Sequence, residues 1–219
     1  MKNRYLILIV VLVVVLFQSC KKDSSLTDSS ELGGDPSPMG VVGTTLSSSS
    51  LPVSGISGFS GKVDALSGGI SSYSGKAVVQ NSVIKNILSN YPAYKISGDT
   101  ISVSNFQFKQ TLEGIQSYVK DGEGILVKYG SAVGDKYTVG STGRTRTVIS
   151  KSTTDDYWYG GLMIKVMQIE EPTPGFKSVG ISKITYWANH KFGLVGVTYN
   201  LTDGSTISLP VYCTTANSK

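Results

Sequence analysis

The stretch Val179–Tyr212, VGISKITYWANHKFGLVGVTYNLTDGSTISLPVY, decides the fold. Three runs rich in Val, Ile, Thr and Tyr, namely Val179–Asn189, Leu194–Leu201 and Thr206–Tyr212, are joined by two tight connections, Asn189-His190-Lys191 and Asp203-Gly204. Such residues suit a pleated, half-buried surface. Runs joined this closely pair as antiparallel neighbours, because a parallel pair needs a crossover of about a dozen residues or more.

The same grammar extends towards the N-terminus. The breaker Glu171-Pro172-Thr173-Pro174-Gly175 precedes the quoted stretch, and before it lies a long candidate strand, Trp158–Glu170. Thr145–Ser150 and Tyr137–Val139 are short candidates. Asp121-Gly122 separates Ile115–Lys120 from Ile125–Tyr129, and Ser97-Gly98-Asp99 leads into Thr100–Phe108. One segment differs. Ala77, Val78, Ile84, Ile87, Leu88 and Tyr91 recur at helical spacing, Ser74 can cap the start, and Tyr91-Pro92 stops the run. The pattern predicts a helix over 76–90. Residues 76–219 therefore read as one mainly-β or α+β domain, an antiparallel sheet or sandwich with one packed helix.

Residues 20–75 read as a disordered tether. Ser, Gly, Thr and Pro dominate, and such composition buries too little apolar surface to offset the entropy of ordering. Inside it Ile56, Phe59, Val63, Leu66, Ile70 and Tyr73 fall at spacings of three and four. Gly55, Gly58, Gly61, Gly68 and Gly69 stand against a helix there, each costing about 1 kcal/mol. Disorder is the reading this favours, ahead of a segment docked on the domain or on lipid, and ahead of a helix.

The first residues carry an address. A positive start, Met1-Lys-Asn-Arg, is followed by 13 apolar residues, Tyr5–Phe17, and then by Gln18-Ser19-Cys20. A spanning helix needs roughly 17–25 residues, so the run suits a removable signal peptide over 1–19. Small Ser19 before Cys20 resembles the signal of bacterial lipoproteins. The string Ser19-Cys20-Lys21-Lys22-Asp23-Ser24-Ser25 looks like that of lipoproteins of the Bacteroidota. The resemblance covers about 25 residues. It implies cleavage before Cys20, acylation of its thiol and anchoring at the cell envelope, on the outer membrane, either periplasmic or surface-exposed. Stable anchoring takes about two acyl chains, and a triacylated cysteine exceeds that.

Composition removes several classes. Loss of Lys2 and Arg4 with the signal lowers the formal charge from +5 to +3. Basic residues are spread out, so the clustered footprint of nucleic-acid binding is missing. Arg144 and Arg146 are the arginines left; they share a strand face that reads as solvated, though it has the makings of an anion site. An acylated Cys20 leaves Cys213 alone, which excludes a disulfide framework and a cysteine zinc site. No calcium loop or phosphate-binding loop is present, so neither metal nor cofactor is expected.

Catalytic signals are thin. The single histidine, His190, sits in a predicted turn, and no Gly-x-Ser-x-Gly elbow accompanies it. Asp155-Asp156 and Glu170-Glu171 flank one long predicted strand and read as solvated ends, too far apart for a glycosidase pair unless the strand folds back at Gly160-Gly161. The candidate binding site is aromatic: Tyr157, Trp158 and Tyr159 beside Asp155 and Asp156, with Tyr157 and Tyr159 on one strand face and Trp158 on the other. Flat rings beside carboxylates suit sugar rings and their hydroxyls, and the competing reading is core packing. The expectation is a lipid-anchored, non-catalytic binding or assembly module, its partners the membrane through Cys20 and a glycan or envelope protein. The alternative is a tethered hydrolase or transferase acting on glycans.

Overall fold

Antiparallel strands account for most of the chain. The structure, a computed structural model, describes residues 31–49, 55–89, 93–119, 122–140, 143–173 and 180–216. The signal, Cys20 and the start of the tether lie outside the described residues. A 3-10 turn (Pro38–Gly40) and β1 (Thr45–Ser47) come first. β2 (Ile56–Ser67), β3 (Ile70–Val79), helix α1 (Ser82–Ser89), β4 (Tyr94–Ser97), β5 (Thr100–Thr111), β6 (Gly114–Ser117) and β7 (Gly124–Lys128) follow. The second half runs β8 (Lys136–Val139), β9 (Arg144–Lys151), β10 (Tyr157–Tyr159), β11 (Leu162–Ile164), β12 (Met167–Pro172), β13 (Ile181–Asn189), β14 (Gly193–Leu201), β15 (Thr206–Pro210) and β16 (Tyr212–Thr214).

Eight strands form one sheet in the order β16-β1-β2-β3-β5-β6-β7, with β4 beside β5. Six form the other, β15-β14-β13-β12-β9-β8. Every pairing is antiparallel and most join sequence neighbours, as short turns require. The long edges of the two sheets also meet. Gly140 N donates to Glu123 O at 2.8 Å, tying the end of β8 to the start of β7. At the other edge the chain passes from β15 to β16 through Val211, whose N–H donates to Val195 O at 2.9 Å. The result is a sandwich joined along both sides.

Two buried clusters lie between the sheets. One centres on Ile115, Val127, Tyr137, Val148 and Ile169. The other gathers Ile56, Val79, Ile84, Ile101, Ile181 and Ile207, with α1 supplying Ile84. Gly180, just before β13, lies against α1, since a Cβ there would stand 3.5 Å from Val83 Cγ1. The helix therefore closes the end of the sandwich at which β3 ends and β13 begins. A third cluster lies outside, where the β10–β11 hairpin covers the far face of β13 and β14.

Three sequence expectations need correction. The tether reading fails from Glu31 onwards. Leu32 is buried and its N–H donates to Gln116 Oε1 at 2.7 Å; Ser71 Oγ donates to Gly40 O at 2.6 Å. β2 and β3 form a long hairpin turning at Gly68-Gly69, which hold φ of 56° and 79°. A sheet ladder is built from backbone groups, so Ser and Gly join it without large side chains. Gly61 and Gly75 face each other across β2 and β3. The stripe from Ile56 to Tyr73 is thus sheet, neither helix nor coil.

The helix is also shorter than 76–90. Ala77 and Val78 belong to β3, paired with Ile101 and Thr100. Asn81 is the cap in place of Ser74, its Oδ1 accepting from Ile84 N at 3.1 Å. Finally, the long strand Trp158–Glu170 does fold back at Gly160-Gly161, with φ of 55° and 105°. That turn separates β10 from β11, and β12 then starts at Met167.

Candidate functional site

The aromatic site is divided by the β10–β11 hairpin. Trp158 and its cross-strand partner Met163 point outwards, and Trp158 is 63% exposed. Leu162 at the hairpin tip is exposed as well. Tyr157 and Tyr159 point the other way, onto the sandwich. Tyr157 packs on Trp187 with ring centroids 5.3 Å apart, and its hydroxyl donates to Val195 O at 3.3 Å. A Cβ at Gly196 would lie 2.8 Å from that hydroxyl oxygen, so glycine makes room for the ring. Tyr159 is buried against Phe192 and Tyr212 and accepts from Cys213 N at 2.9 Å. Both tyrosines pack on the sandwich, Tyr159 buried and Tyr157 half-buried. Asp155 and Asp156 are exposed beside the hairpin, and Asp156 accepts from Ser152 Oγ at 2.6 Å.

The fold-back at Gly160-Gly161 does not assemble a carboxylate pair. Met167 pairs with Lys151 at the end near Asp155-Asp156, and Glu171 lies about 13 Å further along β12 at roughly 3.3 Å per residue. Glu171 is enclosed between the sheets, whereas Asp155 and Asp156 face solvent. Glu170 is bound to Lys183 at 2.6 Å. His190 is exposed in the β13–β14 turn.

Glu171 and the two arginines are the residues that sequence reading misplaced. Along β9, Arg144, Arg146 and Val148 share one face, and that face is turned inwards; Arg146 is 2% exposed. Along β12, Met167, Ile169 and Glu171 do the same. Two strands buried on one face leave these side chains nowhere else to go. Arg146 Nε donates to Glu171 Oε2 at 2.8 Å, while its Nη atoms donate to Ile125 O at 3.0 Å and Gly122 O at 2.8 Å. Arg144 Nη1 reaches Glu171 Oε1 at 3.3 Å, among other contacts. Tyr186 OH donates to Glu171 Oε2 at 3.1 Å, and its ring lies under the Arg146 guanidinium at 5.9 Å. Burial first, and then the Glu171 carboxylate, push the Tyr186 phenol well above its usual range, so it stays a donor. The signal was present in the sequence: Arg144 and Arg146 sit two residues apart on one strand.

Arg144, Arg146, Glu171 and Tyr186 are among the residues that line a cavity of about 450 Å³. Ile56, Val79 and Ile101 line it from one sheet, and Ile181, Leu194 and Tyr199 from the other. The volume falls in the range of about 300–1,000 Å³ usual for small-molecule sites, which combine apolar walls with a few placed polar groups. Cys213 also lines the cavity, and burial pushes its thiol up to about 11, so it is a protonated wall residue at neutral pH.

Among the described residues no group of three His, Cys, Asp or Glu is placed to hold a metal ion, and no helix is long and apolar enough to cross a membrane. Comparison with protein-family models, with curated proteins and with solved structures finds no match to this chain.

Proposed function

We propose that this protein is a lipid-anchored module of the cell envelope that binds a long apolar ligand between its two sheets. The observation that carries the binding half is the cavity of about 450 Å³, walled by apolar side chains of both sheets and joined to one charged cluster. Burial of apolar surface is the dominant driving force such a wall offers, at about 25 cal/mol per Å². The anchoring half rests on the sequence from Met1 to Asp23, where a short apolar run ends at Cys20.

The test of binding is thermal unfolding of the full chain with added sixteen-carbon ligands. A ligand bound only by the folded state raises the unfolding temperature by mass action, increasingly with concentration. Ala77→Phe, which projects a ring from β3 into the cavity, is expected to raise the starting stability and to weaken binding by about tenfold. No ligand-dependent shift in the wild type, or an equal shift in Ala77→Phe, would contradict the proposal. For the anchor, metabolic labelling with a fatty acid is expected to mark the wild type and to miss Cys20→Ala.

A second reading has one observation in its favour. Trp158 is 63% exposed and adjoins exposed Asp155 and Asp156. A glycan stacked there would use one ring rather than three, and Trp158→Ala would abolish binding to an envelope-glycan panel.

A further inference from the structure

We infer that the end of the sandwich bearing the β5–β6 turn and the β7–β8 loop is seated in a lipid surface, with Leu112 and Val133 as the side chains that enter it. The inference deepens the anchoring half of the proposed function and rests on Cys20 being the point of lipid attachment.

The place where the chain enters the fold selects this end. Glu31 pairs with Lys109 at 3.1 Å, Leu32 N donates to Gln116 Oε1 at 2.7 Å, and Leu112 N donates to Asp35 O at 2.8 Å. The first described residues thus run along the β5–β6 turn. From Cys20 to Glu31 is eleven residues, which span at most about 40 Å at roughly 3.6 Å each. β5, with its 12 residues at about 3.3 Å each, is itself roughly 40 Å long. The opposite end carries the β14–β15 turn, where Thr202 N donates to Gly180 O at 2.9 Å. That end would meet the membrane only with the eleven residues pulled straight, which conformational entropy opposes. The β5–β6 end needs no such extension.

The side chains at this end suit lipid. Leu112 is 56% exposed in the β5–β6 turn, and Val133 is 59% exposed in the β7–β8 loop. Single exposed apolar residues are ordinary on any surface. These two stand on adjacent connections, because Tyr129 N donates to Glu113 O at 2.8 Å. The loop is already held in shape. Ser131 N donates to Lys128 O at 3.0 Å, Gly134 N to Val148 O at 2.8 Å, and Ala132 N to Asp135 Oδ2 at 3.0 Å. Val133 therefore enters lipid with little further ordering of its backbone. Asp35, Glu113 and Lys151 are exposed around the tips, so both signs of charge are present. Apolar burial, rather than attraction to anionic lipid, is then the driving term. Two side chains would hold a free protein weakly. A chain anchored through a short segment meets the membrane at an effective concentration on the order of millimolar, which turns weak contact into steady docking.

The experiment is fluorescence quenching on the acylated chain, purified from membranes and placed in phosphatidylcholine vesicles. An environment-sensitive fluorophore is attached in turn to Leu112→Cys, to Val133→Cys and, at the opposite end, to Thr202→Cys. All three positions are exposed, so the substitutions leave the core untouched. Cys213, its thiol pushed up to about 11 by burial, stays unlabelled at neutral pH. Lipid carrying a nitroxide just below its head group is expected to quench the first two about threefold more than the third, since only an inserted side chain reaches that depth. Adding Leu112→Asp to the labelled Val133→Cys chain is expected to lower that quenching by about half while the protein still floats with the vesicles. Protein that does not float with the vesicles overturns the anchor reading and this inference with it. Flotation with equal quenching at the three positions overturns the docking alone. If a nitroxide on a second copy of the chain quenches the two tips and nitroxide lipid does not, the end is an interface between copies and the docking is overturned as well.

Discussion

At the scale of single residues, Glu171 holds the interior cluster together. It accepts from Arg146 and Tyr186 and faces Arg144, with Arg146 and Glu171 themselves buried. A buried ion pair adds little net stability, yet removing one partner strands the other's charge at a cost of about 3–5 kcal/mol. Glu171→Gln keeps the shape and deletes the carboxylate charge that both guanidiniums face. Denaturant unfolding is expected to show a loss of about 3–5 kcal/mol. A loss under about 1 kcal/mol, the worth of an exposed pair, would show that the cluster is solvated after all. The sequence hid this because carboxylates at strand ends are usually wet. Alternation along β12 was legible, but which face is buried depends on the opposite sheet.

At the scale of elements, the β10–β11 hairpin shows how one turn resets a strand. Trp158–Glu170 reads as continuous because its residues all favour sheet. Two glycines with positive φ fold it back and lay Tyr157 and Tyr159 on the outside of β13 and β14. The opposite placement of neighbouring residues on a strand was readable from the two-residue period; which neighbour is covered was not. The two tryptophans should therefore part company. Trp158→Ala removes an exposed ring and is expected to change stability by less than about 0.5 kcal/mol. Trp187→Ala removes a ring stacked on Tyr157 whose Nε1 donates to Thr198 Oγ1 at 3.1 Å, and is expected to cost about 3 kcal/mol. Equal melting of the two variants would show that the hairpin does not cover this face. The β2–β3 hairpin carries the reverse lesson. Its Ser and Gly look like coil by composition, yet β1 and β5 satisfy its backbone on either side. Partners distant in sequence supply that order, and composition does not report them.

At the scale of the molecule, short turns made the antiparallel architecture legible, whereas the joining of the two sheet edges depends on long-range contacts. The same enclosure governs the response to alkali. Burial raises the Cys213 thiol from 9 to about 11 and raises the phenols of Tyr73 and Tyr129. Each group binds its proton more tightly folded than unfolded. Their contribution is complete below pH 9 and is lost as pH rises from about 9 towards 11 and beyond. The urea midpoint is expected to hold between pH 7 and 8 and to fall above about pH 9. A midpoint that rises through that window would show the thiol and phenols to be exposed.

The central claim is that the space between the sheets is a ligand site. It is tested most directly by a crystal structure of the full chain with a sixteen-carbon acid brominated along its chain. Anomalous scattering is predicted to place bromine between the sheets, among Ile101, Ile181 and Tyr199. Bromine at the exposed Trp158–Met163 surface, or at no ordered position, would contradict the account.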